Sequence, residues 1–429
     1  MLQFSGNDYN KHHPLIHTVL LGLCYSVGAE GADCNKGVIL YDLIQMSVMA
    51  GIFAYTYVFI CQHIWNKIFR GMVLVFYAVF PVNSILAIST TKDVIFSGLV
   101  LLCLVLAIQL PEITSKWKRD CLAVILLIVC TMMLLFRNNA IYAFYLFTAC
   151  TCLLGIRGIM KKSVFAVKTM LFSVCCILLF QASDSVMTQA LDAEAGSVRE
   201  MFSVPSQQLG RIYNVIQESG TDPSAVAIIE SYYDMEKAHY NPHLADPMKG
   251  VLDLKTSTEI KNYIGDSLEL FRRYPVESLD AFLYLNEGGW YIQDISNADI
   301  YGHGLERRAG VLLTDVKEGY HIAHESKLPK LELFMEKAFS DNQYQNWLVL
   351  SLFFCPALYV WILLICTLIY VRQKNWKVIL PTGFLWALYL TNLLGPCVII
   401  RYYYPLFVCS PLLLCMAVVS IRGSVGGKG

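Results

Sequence analysis

Apolar runs close to the length of a bilayer-spanning helix recur along this chain, at about 38–61, 71–90, 93–110, 121–136, 138–156, 164–183, 347–371, 378–397 and 403–421. In hydrocarbon only a helix or a closed barrel satisfies every backbone N–H and C=O, and a helix needs about 17–25 mainly apolar residues to cross. Only 15% of the 429 residues are charged, too few to clothe a soluble fold of this size. The pattern predicts an all-α polytopic membrane protein with about nine spanning helices. The stretch from Pro14 to Gly28 is shorter and follows His-His, which predicts an interfacial or re-entrant helix rather than a crossing.

Charge divides the chain. The formal net charge is zero, yet Asp184 to Asp341 holds 26 acidic and 14 basic residues, a net of −12, against 7 and 19 elsewhere. The organisation expected is an N-terminal membrane part over 1–183, a polar and mainly helical domain over 184–346, and a C-terminal membrane part over 347–429. Within the polar block, apolar residues at helical spacing predict helices near 198–218, 223–237, 256–271 and 276–287. Asp222–Pro223 and Tyr274–Pro275 read as helix starts, and 288–328 as loop.

Basic residues orient the spans. One set of connections carries Lys67 and Arg70; Lys116, Lys118 and Arg119; Arg157, Lys161 and Lys162; and Arg372, Lys374 and Lys377. The alternate set carries one each, at Lys36, Lys92, Arg137 and Arg401. Positive residues are retained on the cytoplasmic side, so the first set and the C-terminus are expected there, in a cell membrane. Residues 184–346 are then extracytoplasmic. All fifteen cysteines lie outside the polar block, so that block was built without disulfides.

The same topology brings Lys92–Asp93, Arg137 and Arg401 to one outer boundary. Charge there is costly without a partner or a task. Beyond Asp42, Asp93 is the one outward carboxylate of the membrane part, and the plain reading of Thr90-Thr91-Lys92-Asp93 is a capped helix start. Arg137 in Arg137-Asn138-Asn139 and Arg401 before Tyr402-Tyr403-Tyr404 are, on the plain reading, interfacial arginines. Together the cations favour an anionic ligand, a phosphate or pyrophosphate headgroup. His13 and His17 are four apart, as a metal pair would be, but no third ligand follows from spacing; hydrogen bonding by His12, His13 and His17 is the alternative. Gln207, Gln208 and Arg211 read either as a polar helix face or as a surface reaching over the site. No Walker A loop, GxGxxG, GxSxG or HExxH occurs, which argues against an ATP-driven pump, a dinucleotide enzyme, a serine hydrolase and a zincin.

Six segments occur in order: HHPLIHT at 12–18, YDLIQ at 41–45, TTKDVIFS at 90–97, RNNAIY at 137–142, SVPSQQLGRIY at 203–213 and LLGPCVIIRYYYP at 393–405. As a set they resemble a family of bacterial multi-pass membrane proteins of unknown function, which in turn is similar to the GT-C superfamily of glycosyltransferases. The resemblance implies a helical membrane domain whose outer loops and inserted domain surround a lipid-phosphate-sugar site. It implies a polyprenyl-phosphate-linked sugar and membrane lipid as partners, a glycan or cell-wall acceptor, and no nucleic acid. Lys92, Arg137 and Arg401 would hold the lipid phosphate. His12, His13, His17, Asn138, Gln207, Gln208 and Arg211 would line the substrate. A carboxylate would serve catalysis, with Asp93 and Asp8 as candidates.

GT-C enzymes place that acid in the first outer loop after a first spanning helix. Met-Leu-Gln-Phe resembles the middle of such a loop, so an incomplete N-terminus is expected, testable in the DNA upstream of Met1. No cofactor follows from the sequence, and a divalent cation is compatible with it. Two other readings use the same cations: a transporter or flippase for an anionic lipid or glycan precursor, and a non-catalytic envelope-assembly protein. Transporters bind near the midplane, whereas these charges cluster at one boundary.

Overall fold

The computed structural model describes residues 9–29, 34–160, 163–292, 328–335, 337, 349 and 351–426. The described chain is helical, and its only bridges are two isolated ones, Asn10 with Glu194 and Asn241 with Leu244. The membrane part opens with α1 (Leu15–Ala29) and α2 (Cys34–His63). It continues with α3 (Lys67–Val79), α4 (Pro81–Ala87), α5 (Lys92–Gln109), α6 (Lys116–Phe136), α7 (Ala140–Met160) and α8 (Val164–Ala190). The polar part carries α9 (Ser203–Ser219), α10 (Pro223–Glu230), α11 (Asp246–Lys249), α12 (Ser257–Arg273) and α13 (Pro275–Leu285). After α14 (Pro329–Met335) come α15 (Pro356–Arg372), α16 (Trp376–Asn392) and α17 (Ile400–Gly426).

Among the described residues seven helical spans are long and apolar enough to cross a membrane, one of them, Lys67–Ala87, made of α3 and α4 together. The runs expected at 347–371 and 378–397 instead form helices of 17 residues each, α15 and α16, at the lower limit for a crossing. The run at 71–90 is not one helix. Pro81 has no N–H for the Tyr77 carbonyl, and Phe80 before it is extended at φ −62° and ψ 123°. Asn83 repairs the break by donating its amide to the carbonyls of Phe76 at 2.8 Å and Tyr77 at 3.3 Å. Such repair is what makes proline tolerable at membrane depth. Ser410 does the same for Pro411, donating to the Phe407 carbonyl at 2.8 Å.

Two helices form the centre, α17 with 78% of its spanning window buried and α5 with 67%; α8 at the rim has 11%. Tyr404 on α17 donates to Asn83 at 3.0 Å and Tyr77 donates to the Val408 carbonyl at 2.9 Å, so the repaired break is also the joint between α17 and α3–α4. The helix α1 lies on α2, where Gly37 allows the two backbones to meet.

The polar part has its own core of Phe202, Leu209, Ile212, Ile216, Ile229, Tyr233, Met248, Tyr263 and Leu270. Asp222 caps α10 by accepting from Ser224 and Ala225 N–H, and Tyr274–Pro275 opens α13, both as expected. The helix expected over 223–237 stops at Glu230; beyond it Asp234 accepts from Glu236 N–H, a local turn that competes with the helix. Of the loop expected at 288–328, residues 293–327 lie outside the described residues, as does Asp8. This part is tied to the membrane helices by Ala245 N–H to the Pro396 carbonyl at 2.8 Å, Asn286 to the Leu393 carbonyl at 3.1 Å and Trp361 to the Trp290 carbonyl at 2.9 Å.

Candidate functional site

Helix direction assembles the site. The helix α5 begins at Lys92, α6 ends just before Arg137, and α17 begins at Ile400, so the three charge positions share one end of the bundle. The basic connections at Arg70, Lys116 and Arg372 lie at the opposite helix ends.

Asp93 is the hub. Its carboxylate is 3.3 Å from Arg137 Nη1 and 3.6 Å from Arg401 Nε, and Asp93 and Arg137 are both buried. Tyr402 lies between the two guanidiniums, whose carbons are 5.2 Å and 5.3 Å from its ring centroid; Arg137 also faces Phe96 at 5.2 Å. Ring faces and one carboxylate thus hold two cations in place. The sequence suggested Asp93 as a helix-start acid or as a catalytic acid. Among the described residues its ion pairs are with Arg137 and Arg401, which places it as their organiser. Thr91 occupies the N-cap of α5 but its hydroxyl makes no capping bond and has no hydrogen-bond partner among the described residues, unlike the expected cap.

Lys92 is partly buried and makes no hydrogen bond or ion pair with another described residue. Its electrostatic neighbours are Asp93, Arg137, Arg401 and Glu200. Among the described residues, three cations gather at this end of α5 around one buried carboxylate, with Glu200 acting on Lys92 from the polar part.

A second device holds the turn before Lys92. Gln45, fully buried on α2, donates its amide to the carbonyls of Leu86 at 3.3 Å, Ala87 at 2.9 Å and Ser89 at 2.9 Å. Its own carbonyl accepts from Tyr41 at 3.3 Å, and Tyr41 Oη is 3.4 Å from His17 Nδ1. Neither Tyr41 nor Gln45 was assigned a role from sequence, although a Tyr and a Gln four apart inside an apolar run are the signal of a buried polar face.

The N-terminal segment forms a strap across this end. Lys11 N–H donates to the Glu194 carbonyl at 2.9 Å, Lys11 Nζ is 2.6 Å from Asp184, and Asn138 donates to the Lys11 carbonyl at 2.7 Å. Asn138 therefore positions the strap that carries His12 and His13. His13 and Asn138 line a shallow cavity with Lys11, Ile16 and Asp184, beside the charged centre. His17 is buried, and burial first, then the Lys92 ammonium, push it down from 6.5 to about 4, so it is neutral at ordinary pH. Glu200 faces Lys92 and His12 electrostatically and bonds Lys249 at 2.8 Å; burial pushes the Glu200 carboxyl up, but the Lys249 bond and charge together with His12 and Arg199 outweigh it and the net shift is down.

Gln207, Gln208 and Arg211 are engaged elsewhere. Gln207 is buried and donates to the Asn241 carbonyl, Gln208 donates to the Ser278 carbonyl at 3.0 Å, and Arg211 is 3.9 Å from Asp280. All three tie α9 to its own domain. Among the described residues no three His, Cys, Asp or Glu side chains form a metal-ligand group, so the His13–His17 pair has no third ligand there.

No curated protein and no solved structure matches this chain. A family model does, across residues 7–425, which takes in the strap, the charge hub and the polar domain together. The chain therefore belongs to the family of unknown function DUF6020.

Proposed function

We propose that this protein is a membrane glycosyltransferase that moves a sugar from a polyprenyl-phosphate donor to a cell-envelope acceptor at the outer membrane face. One observation carries the reading: Lys92 has no carboxylate partner among the described residues, and it stands at the same helix end as Arg137 and Arg401, which both face Asp93. Cations kept in excess at a membrane boundary call for an anion, and a lipid phosphate supplies one at that depth. The start of α5 adds the positive end of a helix whose N-cap Thr91 makes no side-chain capping bond. Lys92 and Arg401 would bind the donor phosphate and stabilise the charge that grows on it as the sugar departs. Asp93 would hold the two arginines in position. The transfer reaction itself rests on the GT-C resemblance, and so does the placing of this end of the bundle outside the cell, together with the charge asymmetry of the connections.

The test uses the full chain in lipid nanodiscs with a radiolabelled polyprenyl-phosphate hexose and an envelope extract as acceptor. Lys92→Ala and Arg401→Ala should each abolish transfer and leave insertion intact. Undiminished transfer in both variants rejects these roles.

A further inference from the structure

The hydrogen-bond chain that ends at His17 determines which of its nitrogens carries the proton. Gln45 Nε2 faces three backbone carbonyls, which accept only, so the amide orientation is forced and Gln45 Oε1 must point the other way. That oxygen can only accept, so the Tyr41 hydroxyl spends its single proton there. Tyr41 Oη then has only lone pairs for His17 Nδ1, which lies 3.4 Å away and must be the donor. A neutral imidazole protonated at Nδ1 leaves a bare lone pair at Nε2. Among the described residues no hydrogen bond ends on His17 Nε2.

The cations of the site can bond the oxygen of a hydroxyl but cannot accept its proton. Lys92, Arg137 and Arg401 offer donors alone, and the Asp93 carboxylate, although its Oδ1 accepts no hydrogen bond among the described residues, is buried against the two arginines that face it. The groups that act electrostatically on His17 are Lys92, His13 and Asp93. Lys92 opposes a second proton on the ring and so preserves the acceptor. Resting on the donor assignment above, we infer that His17 is a specificity-determining residue: a tautomer-locked acceptor that takes a hydroxyl proton from a sugar next to the bound phosphate. The site would thereby prefer a glycosylated lipid phosphate over the bare lipid phosphate that remains after transfer.

Two measurements on the full chain in nanodiscs test this. In ¹⁵N-histidine-labelled protein, with the His17 signals assigned by their loss in His17→Leu, the ring should be neutral and protonated at Nδ1. Tyr41→Phe, which removes the locking oxygen at nearly constant volume, should move the proton to Nε2. A wild-type ring protonated at Nε2 overturns the inference. In the second measurement, polyprenyl phosphate and a polyprenyl-phosphate hexose are titrated separately. His17→Leu should weaken the hexose-bearing lipid about tenfold and leave the bare lipid unchanged, with Tyr41→Phe giving a smaller loss of the same selectivity. Equal effects on both lipids, or none, overturn the inference while leaving the donor assignment standing. Failure of the wild type to bind either lipid overturns the donor assignment itself.

Discussion

Arg137 Nη1 lies 3.3 Å from Asp93 Oδ1, with only 8% and 2% of the two side chains exposed. Removing one member of such a buried pair leaves an uncompensated charge, which typically costs about 3–5 kcal/mol. Asp93→Asn conserves shape and would remove the carboxylate that faces Arg137 and, at 3.6 Å, Arg401. A large drop in melting temperature is expected in detergent or nanodiscs. A melting curve that overlays the wild type would sink the hub assignment.

Lys92 should behave oppositely. It has no ion-pair partner among the described residues, so Lys92→Met removes a charge whose desolvation is uncompensated. Thermal stability should be unchanged or slightly higher, while binding of polyprenyl phosphate falls by about tenfold or more. Loss of stability without loss of binding would make Lys92 a structural residue.

Gly37 controls the approach of α1 to α2. A Cβ there would meet the Cys24 carbonyl oxygen at 2.5 Å and Tyr25 Cα at 2.6 Å, both backbone atoms that cannot step aside. Overpacking of this kind costs about 1–3 kcal/mol, so Gly37→Ala should destabilise and, by pushing α1 off α2, break the His17–Tyr41 contact. Gly51 on the same helix has nothing within 4 Å, and Gly51→Ala is the neutral control. Equal melting temperatures for the two variants contradict this account.

The joint between the polar part and α17 rests on Gly289. A Cβ there would lie 2.5 Å from Tyr403 Oη, a hydroxyl that is buried with no hydrogen-bond partner among the described residues. Gly289→Ala should loosen the joint and speed proteolysis within 191–292. Tyr403→Phe removes the clashing atom and an unsatisfied hydroxyl, so the double variant should recover most of the protection. No recovery would place the defect elsewhere.

His17 should also mark the acid limb of stability. Its folded value of about 4 lies below its ordinary 6.5, so on acidification the unfolded chain takes up the proton first. The contribution is complete above about pH 6.5 and is lost as pH falls toward 4. Melting temperature measured across that window should fall less steeply in His17→Leu than in the wild type. The selectivity for a hydroxyl-bearing lipid should fade over the lower part of the window, because a protonated Nε2 is a donor. A parallel pH dependence in variant and wild type would exclude His17 as the group concerned.

Much of the helical frame was legible because its cause is local in sequence. Apolar runs near bilayer length mark spans such as 93–110 and 403–421, and an Asp-Pro pair marks the start of α10. Where the structure departs from the simple runs, a proline or a competing local bond is responsible. Pro81 breaks the span at 71–90 into two helices, and Asn83, two residues on, takes up the carbonyls it frees; the turn at Asp234 ends α10 early.

The site divides along the same line. Composition and charge placement brought Lys92, Asp93, Arg137 and Arg401 into view, because an isolated charge in an apolar chain is conspicuous whatever it touches. Which cation Asp93 would hold, that Gln207 and Gln208 would turn into their own domain, and that Tyr41 and Gln45 would orient His17 depended on contacts between distant segments. The sequence by itself determined a helical membrane protein with charge concentrated at helix ends, since hydrophobicity and backbone satisfaction act along the chain. Only the tertiary structure decided the pairings, since a buried charge or lone pair is defined by its neighbours in space, and here these come from helices α1, α2, α5, α6 and α17.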